Sequence, residues 1–118
     1  MKRTSAVLVP LLMARAMTLT SAQSDIVVTA VGFQFTSCGT WTDARAHHQS
    51  TEMEFWALGF VTGANVARYA DDKFDILKGV ADVGALFSWI DSYCRSKPLE
   101  LFPVAATYLV IELRGRAH

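Results

Sequence analysis

Two cysteines, Cys38 and Cys94, constrain this chain more than any other feature, because they follow an N-terminus that is first basic and then apolar. Lys2 and Arg3 precede an eight-residue apolar run at positions 6–13 (AVLVPLLM), and Thr-Leu-Thr-Ser-Ala at 18–22 ends in small residues before Gln23. That order is the pattern of a secretory signal peptide cut after about Ala22, which predicts export. Arg15, close behind the apolar run, keeps a frayed cytoplasmic N-terminus as the competing reading. The run falls well short of the roughly 20 apolar residues that a membrane span needs, so no membrane association is expected after cleavage.

Cleavage at that point divides the chain into a signal peptide (1–22), an N-terminal arm (23–36), a domain (37–113) and a frayed tail (114–118). A bridge between Cys38 and Cys94 closes a loop of about 57 residues, worth on the order of 4 kcal/mol by loop entropy. That is comparable to the whole stability of a small domain. In an exported protein the two cysteines read as a disulfide, and in a cytoplasmic one as two buried thiols. Their spacing matches no CxxC redox or zinc motif. The signal would remove Lys2, Arg3 and Arg15 from the 11 basic residues and none of the 11 acidic ones, leaving a net charge near −3. Such a surface offers nucleic acid or anionic lipid no basic patch.

Helical periodicity dominates after residue 40 and predicts an all-α fold, a compact bundle of about four helices with one disulfide. A first short helix is placed around residues 41–47. Thr51 and Glu54 have capping-box spacing, and Phe55, Trp56, Gly59, Phe60, Gly63, Val66 and Ala67 follow at helical steps to about Ala70. Asp82 is a good N-cap for a third helix with Val83, Leu86, Trp89, Ile90, Tyr93 and Cys94 on one face, ending at Pro98. A fourth helix starts between Leu99 and Phe102, with Pro103 in its first turn and Phe102, Ala106, Leu109, Val110 and Leu113 as its apolar stripe. Residues 26–35 (IVVTAVGFQF) suit a short strand or an extended arm. Without a second strand to pair with, they read as an arm.

Gly59, Gly63 and Ala67 form a smooth strip on the second helix, at a propensity cost of about 1 kcal/mol for each glycine. Close packing of a helix against the strip would offset that cost, within the chain or in a homodimer. Nearby Asn65 is expected to bond a neighbouring loop rather than a ligand.

Catalytic patterns are missing from the sequence. His47 and His48 are adjacent and diverge, and only His48 and Glu52 share a one-turn relation, too few ligands for zinc. No serine sits in a glycine elbow, and no glycine-rich phosphate loop occurs. Neither Asp71–Asp72 nor Glu52–Glu54 lies in apolar surroundings that would split two carboxyl pKa values. The expectation is therefore a binding protein without catalytic residues, cofactor or metal. An enzyme reading would need a pocket lined by His48, Glu52 or Asp91, and Asp91 is expected on the polar side of the third helix.

The order of motifs is more specific than composition: Ser-Cys-Gly-Thr-Trp at 37–41, Trp-Ala-Leu-Gly-Phe-Val-Thr-Gly-Ala-Asn at 56–65, Trp-Ile-Asp-Ser-Tyr-Cys-Arg at 89–95 with Pro98 and Leu99, then Ala105–Ala106 and Leu-Val-Ile-Glu-Leu at 109–113. Over residues 37–113 this resembles the Rap1a/Tai family of small periplasmic immunity proteins. The resemblance implies a helical protein that plugs the active site of a peptidoglycan amidase delivered by type VI secretion. The matched motifs belong to the scaffold, so the resemblance assigns no partner-binding residue. A second function class is a periplasmic acid-stress chaperone, a small one-disulfide helical protein that exposes apolar surface when its carboxylates protonate. A tight one-to-one complex at neutral pH marks the first, and client protection at low pH the second.

Overall fold

The computed structural model describes residues 29–116, so the expected signal peptide, the start of the arm and the last two residues lie outside the described residues. Four helices follow one another: α1 (Cys38–Ala46), α2 (Thr51–Asp72), α3 (Val83–Ser96) and α4 (Phe102–Arg116). The fold is all-α, with one disulfide joining Cys38 to Cys94. No strand forms among the described residues, where Ser37 and Leu101 make a single isolated antiparallel bridge.

Local chemistry sets most of the helix ends. Ser37 caps α1 by accepting from the Thr40 amide at 3.2 Å, and Asp82 caps α3 by accepting from the Ala85 amide at 2.9 Å. Each satisfies an amide that the first turn leaves without a partner. Lys73 closes α2 in the left-handed region (φ 62°), with its amide on the Tyr69 carbonyl. The expected capping box at Thr51 does not form. Thr51 is already helical, the N-cap is Ser50, and Glu54 receives the buried Ser50 hydroxyl at 2.7 Å instead of reaching back to an amide. Arg45 supplies the reason, because it holds the same Glu54 oxygen at 2.7 Å. At the C-terminus α4 runs to Arg116, so Arg114 to Arg116 are helical where a frayed tail was expected.

The core is built on α4, which pairs with α1, α2 and α3. Phe102, Pro103, Val104, Ala105, Ala106, Leu109, Val110 and Leu113 are all buried, so this helix is covered on almost every side. Small Ala105 and Ala106 leave room for neighbouring helices on both flanks. Trp41 from α1 stacks on Phe102 at 5.1 Å between centroids, and both side chains are fully buried. Each contributes roughly 1.5–3 kcal/mol of apolar transfer. The disulfide lies in the same layer and ties the first residue of α1 to α3.

The described part of the arm is a turn rather than an extended segment. The Thr36 amide returns to the Phe33 carbonyl at 3.0 Å, and Gly32 sits at φ +104°, which a side-chain-bearing residue rarely adopts. Trp56 explains the turn: its Nε1–H donates to the Val31 carbonyl at 2.7 Å, and Phe33 meets both Trp56 and Phe102 edge-on.

Candidate interaction surface

Helix α2 buries Met53, Ala57 and Val61, with Trp56, Leu58, Phe60 and Ala64 half-buried beside them. Its opposite side carries Phe55, Gly59, Thr62, Val66 and Tyr69 at alternating steps of four and three, the spacing of a helix-pairing seam. Phe55 is 70% exposed, Val66 62% and Tyr69 51%. The expected apolar face is therefore corrected: Phe55, Gly59, Gly63, Val66 and Ala67 point outward. The strip of Gly59, Gly63 and Ala67 lies on that exposed side, and a Cβ on either glycine would meet nothing within 4 Å, so no contact inside the described fold uses it. Among the described residues no helix lies against the strip. The physical reason is that α2 is apolar on two sides, so a period of 3.6 fits both and does not choose between them.

A second apolar area flanks the Ser37–Leu101 bridge, where Phe35 is 88% and Leu99 94% exposed. Monomeric surfaces carry scattered apolar residues routinely, but Phe55, Val66 and Tyr69 share one side of one helix, which makes that side the place to look for a contact.

Behind the outward face, a polar cluster fixes how α1, α2 and α3 meet. Asp91 accepts from Trp41 Nε1–H at 2.8 Å and from Arg45 Nε and Nη2 at 3.0 Å each. Arg45 also donates to Glu54 at 2.7 Å and lies 5.6 Å from the ring centroids of Trp41 and Phe87. The Asp91 hydrogen bonds raise the Arg45 pKa above its ordinary value, burial opposes them, and Glu54 adds to the rise, so the guanidinium stays charged at any working pH. Sequence reasoning set Asp91 on the polar side of α3. It is half-buried and committed to two residues of α1 instead. The spacing of Trp41 and Arg45 at i,i+4 put both on one face, yet nothing local pointed to an acceptor 50 positions away.

The other groups considered for chemistry stay apart. His48 and Glu52 are exposed, and neither they nor Asp91 lines the hollow of about 400 Å³ between α3, α4 and the 73–82 connection. Among the described residues, no three His, Cys, Asp or Glu side chains gather as metal ligands would. Asn65 behaves as expected: its Oδ1 accepts from the Ile76 amide at 2.8 Å and its Nδ2 donates to Asp75 at 3.0 Å, anchoring the connection after α2. Among the described residues, no helix is long and apolar enough to cross a membrane. Compared with family models, curated proteins and solved structures, the chain finds no match in any of the three.

Proposed function

We propose that this chain is a periplasmic immunity-type protein that binds a peptidoglycan amidase effector and inhibits it by covering its active site. The observation that carries the proposal is the motif order over residues 37–113, from Ser-Cys-Gly-Thr-Trp to Trp-Ile-Asp-Ser-Tyr-Cys-Arg, which resembles the Rap1a/Tai family. Two structural features support it. The protein is a small scaffold cross-linked between α1 and α3, and such rigidity lowers the ordering cost of binding. The outward row of α2 gives it an apolar surface for a protein partner, with Phe55 as a projecting aromatic anchor.

The test uses the oxidised chain from Gln23 onward, mixed with a panel of purified peptidoglycan amidases at neutral pH. The expected result is a one-to-one complex with one amidase, loss of its hydrolytic rate, and rescue of that rate by Phe55→Glu combined with Val66→Glu. Unchanged rates across the panel at excess protein overturn the proposal. Capture of unfolded clients only after acidification, without any amidase complex, overturns it in favour of the chaperone class.

A further inference from the structure

The 73–82 connection bridges α2 to α3 over two hollows. One, of about 400 Å³, is lined by Ile76, Leu86, Trp89, Leu109 and Leu113. The other, of about 330 Å³, opens toward α2, and Val80 and Leu86 form the common wall between them. The larger lies within the range of about 300–1,000 Å³ typical of small-molecule sites and exceeds what one projecting side chain from a partner would fill.

Its charges are not balanced. Among the described residues, Lys78 and Arg116 stand on the lining with Glu112 as the one carboxylate. Arg116 engages Glu112 through Nε at 3.0 Å, which leaves both terminal guanidinium nitrogens without a partner among the described residues. Lys78 likewise makes no side-chain ion pair among them. The combination is an apolar interior with an aromatic wall and a cationic rim. An alkyl tail would desolvate against Leu109, Leu113 and Trp89, and a carboxylate would take charge-assisted hydrogen bonds from the rim.

We infer that this hollow is a binding site for an amphipathic monocarboxylate, an alkyl chain of medium length with its head group between Lys78 and Arg116. The site is separate from the outward row of α2 and stands whether or not the chain inhibits an amidase.

Decanoate is the probe, with decanol as the uncharged analogue, titrated into the oxidised protein by calorimetry and by tryptophan fluorescence. The expected result is one saturable site for decanoate, with a fluorescence change that disappears in Trp89→Phe. Exposed Lys78 and Arg116 can be replaced without disturbing the core. The double variant Lys78→Gln/Arg116→Gln should weaken decanoate by about tenfold and leave decanol unchanged. Ala85 is exposed and lines the hollow, so Ala85→Trp should fill it and abolish binding of both. No saturation by millimolar decanoate, equal affinity for decanoate and decanol, or binding that survives Ala85→Trp each overturns the assignment.

Discussion

Replacing Asp91 with alanine takes away the acceptor of three hydrogen bonds at once, one from Trp41 and two from Arg45. The Trp41 indole is fully buried, so its N–H is left without a partner at a cost of about 1–3 kcal/mol. Arg45 loses its bidentate partner but keeps Glu54. Its side chain is about one-third exposed, so water screens part of that loss, and roughly 1–2 kcal/mol is reasonable against the larger cost of breaking a fully buried pair. Together these give about 3 kcal/mol, a large fraction of what a domain of this size holds in reserve. In urea unfolding followed by tryptophan fluorescence, the midpoint should fall by roughly 2–3 M with an unchanged slope. Asp91→Asn separates the contributions, since its carbonyl oxygen can still accept from Trp41 but its amide cannot pair with the guanidinium. It should cost about half as much. In a cycle with Arg45→Ala, the two losses should be clearly less than additive, because both remove the same pair. A cost below about 1 kcal/mol for Asp91→Ala, or equal costs for the alanine and asparagine variants, would refute the reasoning.

Reduction of the Cys38–Cys94 bridge, or its replacement by serines, should destabilise the fold by on the order of 4 kcal/mol, read as the loss of urea midpoint between oxidised and reduced protein. The Tyr93 hydroxyl is buried without a hydrogen-bond partner among the described residues, so Tyr93→Phe should stabilise the protein by about 1 kcal/mol at neutral pH. Burial, with Glu100 and Tyr108 adding to it, pushes the Tyr93 pKa from 10.0 up to about 12. Because the folded value is the higher one, its contribution is intact below the unfolded value and is lost as pH rises through about 12; the gap between Tyr93→Phe and the parent should widen over that window. Gly63→Ala adds a Cβ into open space on an exposed helix interior and should stabilise by about 1 kcal/mol in thermal melts, whereas a helix packed on the strip within the monomer would turn that gain into a loss.

What local pattern decides was legible from sequence. The stripe of α4 at Phe102, Ala106, Leu109, Val110 and Leu113 is buried throughout, and Asp82 caps α3 where it was expected. With only two cysteines the disulfide had one possible pairing, and α1, expected around residues 41–47, starts at Cys38. Less legible was anything decided by a distant residue. On α3, Val83 is exposed while Phe87 is buried, because Phe87 packs beside Trp41 and under Arg45, and neither neighbour is local in sequence. The turn at residues 31–35 depends on the Trp56 indole in the same way.

Helix α2 joins these two situations. Its sequence supports two apolar faces, and the tertiary structure uses the one with Met53, Ala57 and Val61. Trp56 is fixed by Val31 and Phe102 on one side and Glu54 by Arg45 and Ser50 on the other, so the rotation of the helix about its axis is set near its N-terminus. Rotating it to bury Phe55, Gly59 and Val66 instead would break all of these contacts and leave the Glu54 carboxylate away from its guanidinium. The two glycines therefore keep their propensity cost with no packing inside the described fold to offset it. A row of exposed apolar residues interrupted by small ones costs solubility as well as helix stability, and no contact among the described residues offsets either. That places the surface most worth mutating on the side of α2 opposite the core, with Phe55 and Val66 as its projecting side chains and Gly59 and Gly63 as the places where another backbone can come close.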